Sequence, residues 1–450
     1  MNFEKIKEAV ARHRDTILRA ERDMWAHPET GYREVWTNAY MKKAFEELGY
    51  ELTAPEDITG FFTVIDTGRE GPTVLVLAEL DSLLCATHPE AVPETGAVHA
   101  CGHHAQCATM IGIAAALKEE GMLDGLCGRI KLCVVPAEEG VEISFRQELI
   151  KKGIISFTSG KPEFISRRYF DDVDVAFMVH TSSDDVDFRL ATGANGVIRK
   201  RTVFHGRAAH AGGAPHKGIN ALNAASSALM AVNSLRETFR EQDFVRFHSI
   251  ITKGGDAVNA VPETVVVESY VRAASVPALK EANQKINLAL SGVGAAFGAT
   301  VEITDMPGSE ALRHDLGLNT LAASLLDELV GRENYTWKKE WDASSTDMGD
   351  VSALFPAIHA YAAGAVGLAH GNNYYVVDPE KACVNNAVFQ IGLLRALLEN
   401  DAKEAREIMA NFTPVFASVD EYLAHKRSMA MDKYTVTHNE DGTVTLDCQA

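Results

Sequence analysis

Three short apolar segments constrain the fold more than any other feature of this sequence. They read TVLVLAEL (73–80), IKLCVVPAE (130–138) and VDVAFMVH (173–180), and their composition is typical of strands buried on both faces of a sheet. Between the first two lies AQCATMIGIAAALKEEG (105–121), which predicts a helix that ends at Gly121. The order of strand, helix and strand indicates an α/β domain with a parallel or mixed sheet.

A different pattern occupies residues 196–307. Here the predicted strands and helices follow the order β-α-β-β-α-β, the split ferredoxin-like unit. Because 450 residues are too many for one small core, we predict a mixed-sheet domain in two parts, residues 1–192 and 309–450, with a ferredoxin-like domain inserted at residues 193–308. The second part ends in KYTVTHNEDGTVTLD (433–447), which predicts a hairpin with an Asp-Gly turn.

The overall charge narrows the classes of partner. With 43 basic and 62 acidic residues, the formal net charge is −19, which disfavours nucleic acids and anionic membranes as partners. It does not exclude an anionic substrate, because a few local cations can dominate one pocket. No apolar run is long enough to cross a bilayer, and the first residues, MNFEKIKEAVARHRD, lack the apolar core of a signal peptide. We therefore expect a cytoplasmic protein.

Polar residues interrupt the apolar segments where each strand is predicted to end. Ligands of open α/β sheets bind beyond the carboxyl ends of the strands. A single aspartate at a strand end is usually a helix cap, but capping does not explain the whole set. Its members are Glu79 and Asp81 after the first strand, Glu138 and Glu139 after the second, His180 after the third, and CGHH (101–104) at the start of the helix.

The residue types in this set suit a transition metal. Cys101 and His103 are two positions apart, so in an extended segment both would face one ion. A thiolate, an imidazole and a carboxylate favour Zn²⁺ or Mn²⁺ over Ca²⁺ or Mg²⁺. Glu138 and Glu139, as adjacent strand residues, would point to opposite sides, so that one could bind metal while the other faces a bound water. The alternatives are a crowded helix start without chemistry and a thiol redox site, for which Cys107 is the nearest second cysteine.

Five motifs in a fixed order then point to a known family. HACGHH (99–104), VPAEEG (135–140), AAHAGGAPHKGINAL (208–222), NAVPETVVVESYVRA (259–273) and SSTDMGDVS (344–352) together closely resemble the M-twenty (M20) metallopeptidase family of aminoacylases and carboxypeptidases. The branch with cysteine in place of a bridging aspartate fits best. Within it, HPETGYREVWTNAY (27–40) and SSTDMGDVS resemble most the aminobenzoyl-glutamate hydrolase B subunit.

The resemblance implies a site for two divalent transition-metal ions, Mn²⁺ or Zn²⁺, with Cys101 as the bridging ligand. His103, Glu139, His180 and His370 would take the other ligand positions. It also assigns further roles, as follows: Glu138 as general base, Asp81 as the carboxylate that orients a histidine ligand, His210 as the group that stabilises the oxyanion, and Asn259 and Arg272 as partners of the substrate carboxylate.

Four features depart from the family pattern. His104 and Gln106 stand where relatives carry other polar residues, and we expect both to lie just outside the ligand set. Glu79 occupies the place of a histidine ligand in other branches, and we interpret it as a structural acid. An extra segment, FTSGKPEFISRRYF (157–170), is expected near the mouth of the pocket.

The sequence therefore predicts a homodimeric, metal-dependent amidohydrolase of N-acyl or N-aroyl amino acids. A dipeptidase or a carbamoyl-amide hydrolase on the same scaffold is the enzymatic alternative, and a metal-binding or sequestering protein is the non-enzymatic one. The inserted domain leaves sheet edges that could pair with a second copy. In such a dimer, we expect His210 of one subunit to complete the active site of the other.

Overall fold

The computed structural model describes residues 3–448 and contains two main sheets. The α-helices, in chain order, are α1 (Phe3–Ala11), α2 (Arg14–Trp25), α3 (Val35–Glu47), α4 (His103–Ala116), α5 (Ile143–Lys151), α6 (Gly160–Ser166), α7 (Ala221–Ser234), α8 (Val276–Ala296), α9 (Leu316–Leu329), α10 (Met348–Ser352), α11 (Asn386–Leu398), α12 (Lys403–Asn411) and α13 (Val419–Ser428). A π-helical turn, Glu380–Asn385, leads into α11.

The strands comprise those of the two main sheets and of three short pairs. In chain order they are β1 (Phe61–Asp66), β2 (Thr73–Glu79), β3 (Leu83–Leu84), β4 (Ala97–Val98), β5 (Arg129–Val135), β6 (Val175–Ser182), β7 (Phe188–Leu190), β8 (Gly193–Ala194), β9 (Gly196–His205), β10 (Arg246–Lys253), β11 (Thr264–Ala273), β12 (Thr300–Pro307), β13 (Leu312–Arg313), β14 (Tyr335–Trp337), β15 (Ala357–Ala363), β16 (Ala365–Val366), β17 (Tyr375–Val376), β18 (Met431–His438) and β19 (Val444–Leu446).

The larger sheet has seven strands in the order β1-β5-β2-β6-β15-β7-β14. The central strands β5, β2, β6 and β15 are parallel. Strand β1 pairs antiparallel with β5, and β7 pairs antiparallel with β15 but parallel with β14. All seven residues of β2 are buried, because α4 covers one face of the sheet and α6 and α10 lie in the core on the other. The predicted mixed α/β fold is confirmed. A helix lies between the first two strands as predicted, but it ends at Ala116 and not at Gly121.

The smaller sheet contains the predicted β-α-β-β-α-β unit as β9, α7, β10, β11, α8 and β12. It is antiparallel, with the order β10-β11-β9-β12. Apolar side chains at alternate positions of β11, such as Val265, Val267 and Val271, pack with α7 and α8. The opposite face therefore carries polar side chains, and it turns towards the strand ends of the larger sheet.

The C-terminal hairpin forms as predicted, from β18 and β19, but its position was not foreseen. It continues the smaller sheet beyond β12 instead of lying on the larger sheet. The alternation of apolar and polar residues in a hairpin does not predict which sheet edge the hairpin joins. As a result β12 is covered, and among the ferredoxin-like strands β10 alone remains at an edge of this sheet.

The helices of the described residues were compared with the requirements for spanning a membrane. Between residues 3 and 448, none of the helices combines the length and the apolar character needed to cross a bilayer.

Candidate metal centre

Side chains from five separate parts of the larger domain meet at the carboxyl ends of its parallel strands. Potential ligand atoms lie within 4.8 Å of one another in three overlapping groups. The groups are Cys101 with His103 and His180, Cys101 with Glu139 and His370, and Glu79 with His103 and Glu138. Cys101 belongs to two of these groups, as a bridging ligand would. All five ligands expected from the sequence are thus brought together.

The geometry that places Cys101 beside His103 differs from the one predicted. The segment is not extended, because Gly102 between them has a left-handed φ of 91° and His103 begins α4. A Cβ atom on Gly102 would lie 2.4 Å from the Tyr374 hydroxyl oxygen, so only glycine fits this turn. The tight turn, and not strand periodicity, directs both side chains to one point.

The two adjacent glutamates also differ from their predicted setting. Strand β5 ends at Val135, and Glu138 and Glu139 follow in a loop after Ala137, whose φ is +56°. Glu139 is buried and its carboxylate lies 3.1 Å from His370 Nε2. Glu138 is only partly buried and lines the adjoining cavity. Both glutamates border this cavity, so the predicted placement on opposite faces of a strand is replaced by two loop positions whose carboxylates have different neighbours.

Asp81 connects two of the candidate ligands. One of its carboxylate oxygens lies 3.2 Å from His103 Nδ1, and the other accepts a hydrogen bond of 2.9 Å from the backbone N–H of Glu139. The carbonyl oxygen of Asp81 lies 2.9 Å from the same histidine nitrogen. These contacts leave His103 Nε2 facing the cluster, which is the arrangement that metal-binding histidines usually have.

Backbone contacts hold the remaining two histidines. His180 lies inside β6, two residues before its end, with Nδ1 2.7 Å from the carbonyl of Thr181 and Nε2 3.4 Å from Cys101 Sγ. His370 has a left-handed φ of 65°, and its N–H donates to the Ala100 carbonyl at 2.8 Å. Both contacts bring an imidazole nitrogen to the thiol of Cys101.

Buried polar atoms without hydrogen bonds, together with the local charge, indicate that this cluster fits metal ions. In the described chain, His103 Nε2 and Glu139 Oε1 are buried and make no hydrogen bond, although they lie 3.2 Å from Glu79 Oε2 and 3.1 Å from His370 Nε2. Burial raises the pKa of Cys101, but His180 and His103 lower it more, to about 6. Glu139 raises the pKa of His370 to about 11. The imidazoles are thus the cations that offset an anionic donor set, and divalent ions would replace their protons.

Glu138 has the environment of a proton-transfer group. Burial, and then the negative charges of Glu79 and Glu139, raise the pKa of its carboxyl well above the ordinary value. Such shifts are common among general acids and bases, whose pKa must approach the working pH. Glu138 can therefore both accept and return a proton.

The sequence predicted that the extra segment, residues 157–170, would lie near the mouth of the pocket. In the structure it lies behind the cluster instead. It forms α6, whose Phe164 and Ile165 are buried in the core. The fully buried Lys161 of this helix donates to Glu79 Oε1 at 2.5 Å and also to Asp347 Oδ1. The segment thus supplies an internal cation that partners two buried carboxylates.

Glu79 has one oxygen that is held by Lys161, as expected of a structural acid, and another that lies beside the cluster. Its second oxygen accepts a hydrogen bond of 3.0 Å from Gln106 and lies 3.2 Å from His103 Nε2. His104 makes different contacts: its Nε2 lies 3.2 Å from Glu21 Oε1, and its ring packs edge-on against Trp25. Gln106 thus touches a group beside the candidate ligands, whereas His104 anchors the start of α4 to α2.

A cavity of about 610 Å³ opens beside the cluster, between the two sheets. Arg189, Arg199 and Arg272 line it together with Glu138. Arg272 was predicted from the sequence, but the other two arginines were not, because each is an ordinary strand residue in the sequence. Three guanidinium groups make this cavity suitable for a substrate carboxylate, despite the net negative charge of the chain.

His359 is a further cavity residue that sequence reasoning missed. It lies on β15, is almost fully buried, and both ring nitrogens lack a hydrogen-bond partner among the described residues. Its ring lies 5.6 Å from that of His180 and 4.8 Å from that of Tyr361. A histidine inside an otherwise apolar strand, AIHAYAA, was the available signal.

His210 and Asn259 are not among the residues that line the cavity of their own chain. Both side chains are exposed on the inserted domain. His210 Nδ1 accepts hydrogen bonds from the N–H groups of Gly212 and Gly213, and the Asn259 carbonyl accepts one from Ala211. The two residues are therefore neighbours, but within one chain they do not join the cluster.

The sequence of this chain is similar to those of several known hydrolases. Residues 192–296 match the peptidase dimerisation domain. The Xaa-Arg dipeptidase of Mus musculus is 28% identical over 80% of this chain and 78% of its own length. The B subunit of the p-aminobenzoyl-glutamate hydrolase of Escherichia coli is 27% identical over 66% of this chain and 59% of its own length.

A solved structure shares most of the fold. The Bacillus subtilis dinuclear metal-binding peptidase of the M20 family superposes with a TM-score of 0.62 at 20% identity, over 87% of this chain and 99% of that one. The fold and the strand-end cluster define a hydrolase of amide bonds. Residues 192–296 thus match the M20 dimerisation domain, and the resemblance to the M20 family that the motifs indicated is confirmed.

Proposed function

We propose that this protein is a two-metal amidohydrolase that releases an amino acid from an N-acyl or N-aroyl derivative. The observation that carries the proposal is the position of Glu138. Its carboxylate lines the cavity and lies within 4.8 Å of ligand atoms of Glu79 and His103. A protein that only stores metal has no need of a proton acceptor at this place, which disfavours the sequestering alternative.

In this proposal, different residues of the chain bind metal, transfer a proton and orient a ligand. Cys101, His103, Glu139, His180 and His370 would hold two ions, Zn²⁺ or Mn²⁺. Such ions, when bound, acidify a water molecule and polarise the scissile carbonyl. Glu138 accepts the proton of the attacking water and returns it to the leaving amine. Asp81 keeps His103 in the tautomer that directs Nε2 to the cluster.

The cavity arginines orient the substrate. A free carboxylate placed at Arg272 sets the distance between the charged end of the substrate and its amide bond. Burial lowers the pKa of Arg272, but a guanidinium remains charged at any physiological pH. The side chain therefore presents a permanent cation, whose N–H groups can bind a carboxylate with two parallel hydrogen bonds.

A dipeptidase is the second candidate function. The similarity to the Xaa-Arg dipeptidase covers more of this chain than the similarity to the aminobenzoyl-glutamate hydrolase subunit. Dipeptides and N-acyl amino acids share the scissile amide and the carboxylate, and differ in the free amine. Both classes therefore belong in the same assay.

The test is a substrate panel. Purified protein loaded with Mn²⁺ or Zn²⁺ is assayed with N-acetyl, N-benzoyl and N-carbamoyl amino acids and with dipeptides, and released amino acid is measured. We expect hydrolysis of N-acyl or N-aroyl amino acids that disappears in Glu138→Ala. Hydrolysis of dipeptides alone would favour the second candidate, and no hydrolysis in any class would contradict both.

We further propose a homodimer in which His210 serves the partner's site. Its exposed position, beside Asn259 and outside its own cavity, supports this arrangement. Mixing His210→Ala with Glu138→Ala under conditions of subunit exchange should restore activity. With random exchange about half of the dimers are mixed, and each has one intact site, so about a quarter of the wild-type activity is expected.

The matched control mixes Glu138→Ala with Glu139→Ala. Both residues belong to one chain's own site, so every site in the mixed dimer stays defective. Recovery in the first mixture alone supports a shared site. Proven exchange without recovery would show that His210 does not act across the dimer.

A further inference from the structure

A second cavity, of about 550 Å³, adjoins the one beside the cluster. The two share the lining residues Gly140, Val141, His248 and Tyr270. At this junction the Tyr270 hydroxyl donates a hydrogen bond to the Gly140 carbonyl, which ties the smaller sheet to the loop of the metal centre. A substrate bound at the cluster therefore lies next to the second cavity.

The strand register orders the side chains that lead from one cavity to the other. On neighbouring strands β10 and β11, His248 pairs with Tyr270 and Ile250 pairs with Glu268. Arg272 follows Tyr270 on the same face, since alternate residues share a face. Each step of two residues covers about 7 Å. Arg272 thus lies in the first cavity, Tyr270 at the junction, and Glu268 in the second cavity.

If the protein has the proposed function, the order of Arg272, Tyr270 and Glu268 along β11 indicates which part of the substrate reaches the second cavity. The carboxylate lies at Arg272 and the scissile amide at the cluster, next to Glu139. The α-carbon between them is then close to Gly140 and Tyr270, which form the junction. We propose that the second cavity binds the side chain of the amino acid that bears the free carboxylate.

The lining of this cavity specifies the class of side chain. Val141, Ile143 and Ile250 supply apolar walls, and the carboxylates of Glu142 and Glu268 add negative charge. Apolar walls hold the methylene stem of a long side chain, and carboxylates attract a cationic end. The cavity therefore selects an amino acid with a long aliphatic stem and a positive end, and it disfavours acidic side chains.

The carboxylates of Glu142 and Glu268 have few partners within the chain, so they can bind a cationic group of a substrate. Glu142 accepts a hydrogen bond of 2.5 Å from the Thr30 hydroxyl and lies 3.4 Å from the half-exposed Arg33. Glu268 accepts one of 2.9 Å from the Ser144 hydroxyl. Neither carboxylate is held by a buried cation, in contrast to Glu79 with Lys161.

The experiment compares N-benzoyl-arginine, N-benzoyl-leucine, N-benzoyl-glycine and N-benzoyl-glutamate with the metal-loaded enzyme. The acyl group is constant, so differences in kcat/KM report the amino-acid subsite. We expect the order arginine, leucine, glycine, glutamate, with at least about a tenfold ratio between the first and the last, since each 1.4 kcal/mol corresponds to tenfold.

A double variant tests whether the two carboxylates cause this order. Glu142→Gln/Glu268→Gln should reduce the ratio of kcat/KM for arginine over glutamate by about tenfold, because it removes both charges and retains the hydrogen-bond acceptors. The control Glu120→Gln/Glu440→Gln removes two carboxylates elsewhere on the chain and should keep the ratio. Circular dichroism and metal content check that both variants remain folded.

The outcomes separate this inference from the function on which it rests. N-benzoyl-glutamate hydrolysed as fast as N-benzoyl-arginine would keep the amidohydrolase and overturn the subsite. An unchanged ratio in the double variant would also overturn the subsite. A wild-type enzyme without activity on any of the four substrates, together with inactivity in the wider panel, would contradict the proposed function itself.

Discussion

Glu138→Gln should retain bound metal and lose about 10² to 10⁴-fold in turnover, the usual contribution of a general base. The amide keeps the size of the side chain and can still form hydrogen bonds, but it cannot accept a proton. Single-turnover kinetics with an N-acyl amino acid that the wild type hydrolyses measure the loss of turnover. Elemental analysis of the same preparation measures the bound metal.

Glu139→Gln is the matched comparison, because it makes the same chemical change one residue further along the chain. Its carboxylate faces His370 within the cluster, so this variant should lose metal as well as turnover. If Glu138→Gln loses the metal and Glu139→Gln keeps it, the roles of the two glutamates are reversed.

Lys161→Met should lower the free energy of unfolding by about 3–5 kcal/mol, the usual cost of removing one partner of a buried ion pair. The change leaves Glu79 and Asp347 inside the protein without their shared cation. Chemical denaturation followed by circular dichroism measures the effect. Lys152→Met is the control, since Lys152 is exposed in the same region and should change stability by no more than about 0.5 kcal/mol.

A triple variant shows whether uncompensated charge is the cause. Adding Glu79→Gln and Asp347→Asn to Lys161→Met removes the buried negative charges and should restore part of the lost stability. Stability of Lys161→Met equal to that of the control would show that the pair of carboxylates does not depend on this lysine.

Much of the fold followed from local patterns. Continuous apolar runs predicted the parallel strands β2, β5 and β6, and period-two alternation predicted the strands of the smaller sheet. The polar residues at strand ends predicted where the site lies, because parallel strands bring their carboxyl ends to one edge. The family resemblance supplied His370, which no strand-end argument had indicated.

Other features depend on long-range geometry that a single sequence does not encode in any local pattern. Cys101 and His103 meet through the left-handed turn at Gly102, not through an extended segment. Lys161 is 82 positions from Glu79 and 186 from Asp347, so the buried triad became visible only in the folded chain. The hairpin of β18 and β19 could have joined either sheet, since its sequence fixes its own register and not its neighbour.

The metal content of cysteine variants tests the central claim most directly. After loading with Zn²⁺ or Mn²⁺ and removal of free ions, elemental analysis should find close to two ions per chain in the wild type and in Cys85→Ser, whose cysteine lies outside the cluster. Cys101→Ser should lose much of this metal while it remains folded. Unchanged metal content in Cys101→Ser, or a wild-type protein that retains no metal, would contradict a two-metal centre bridged by Cys101.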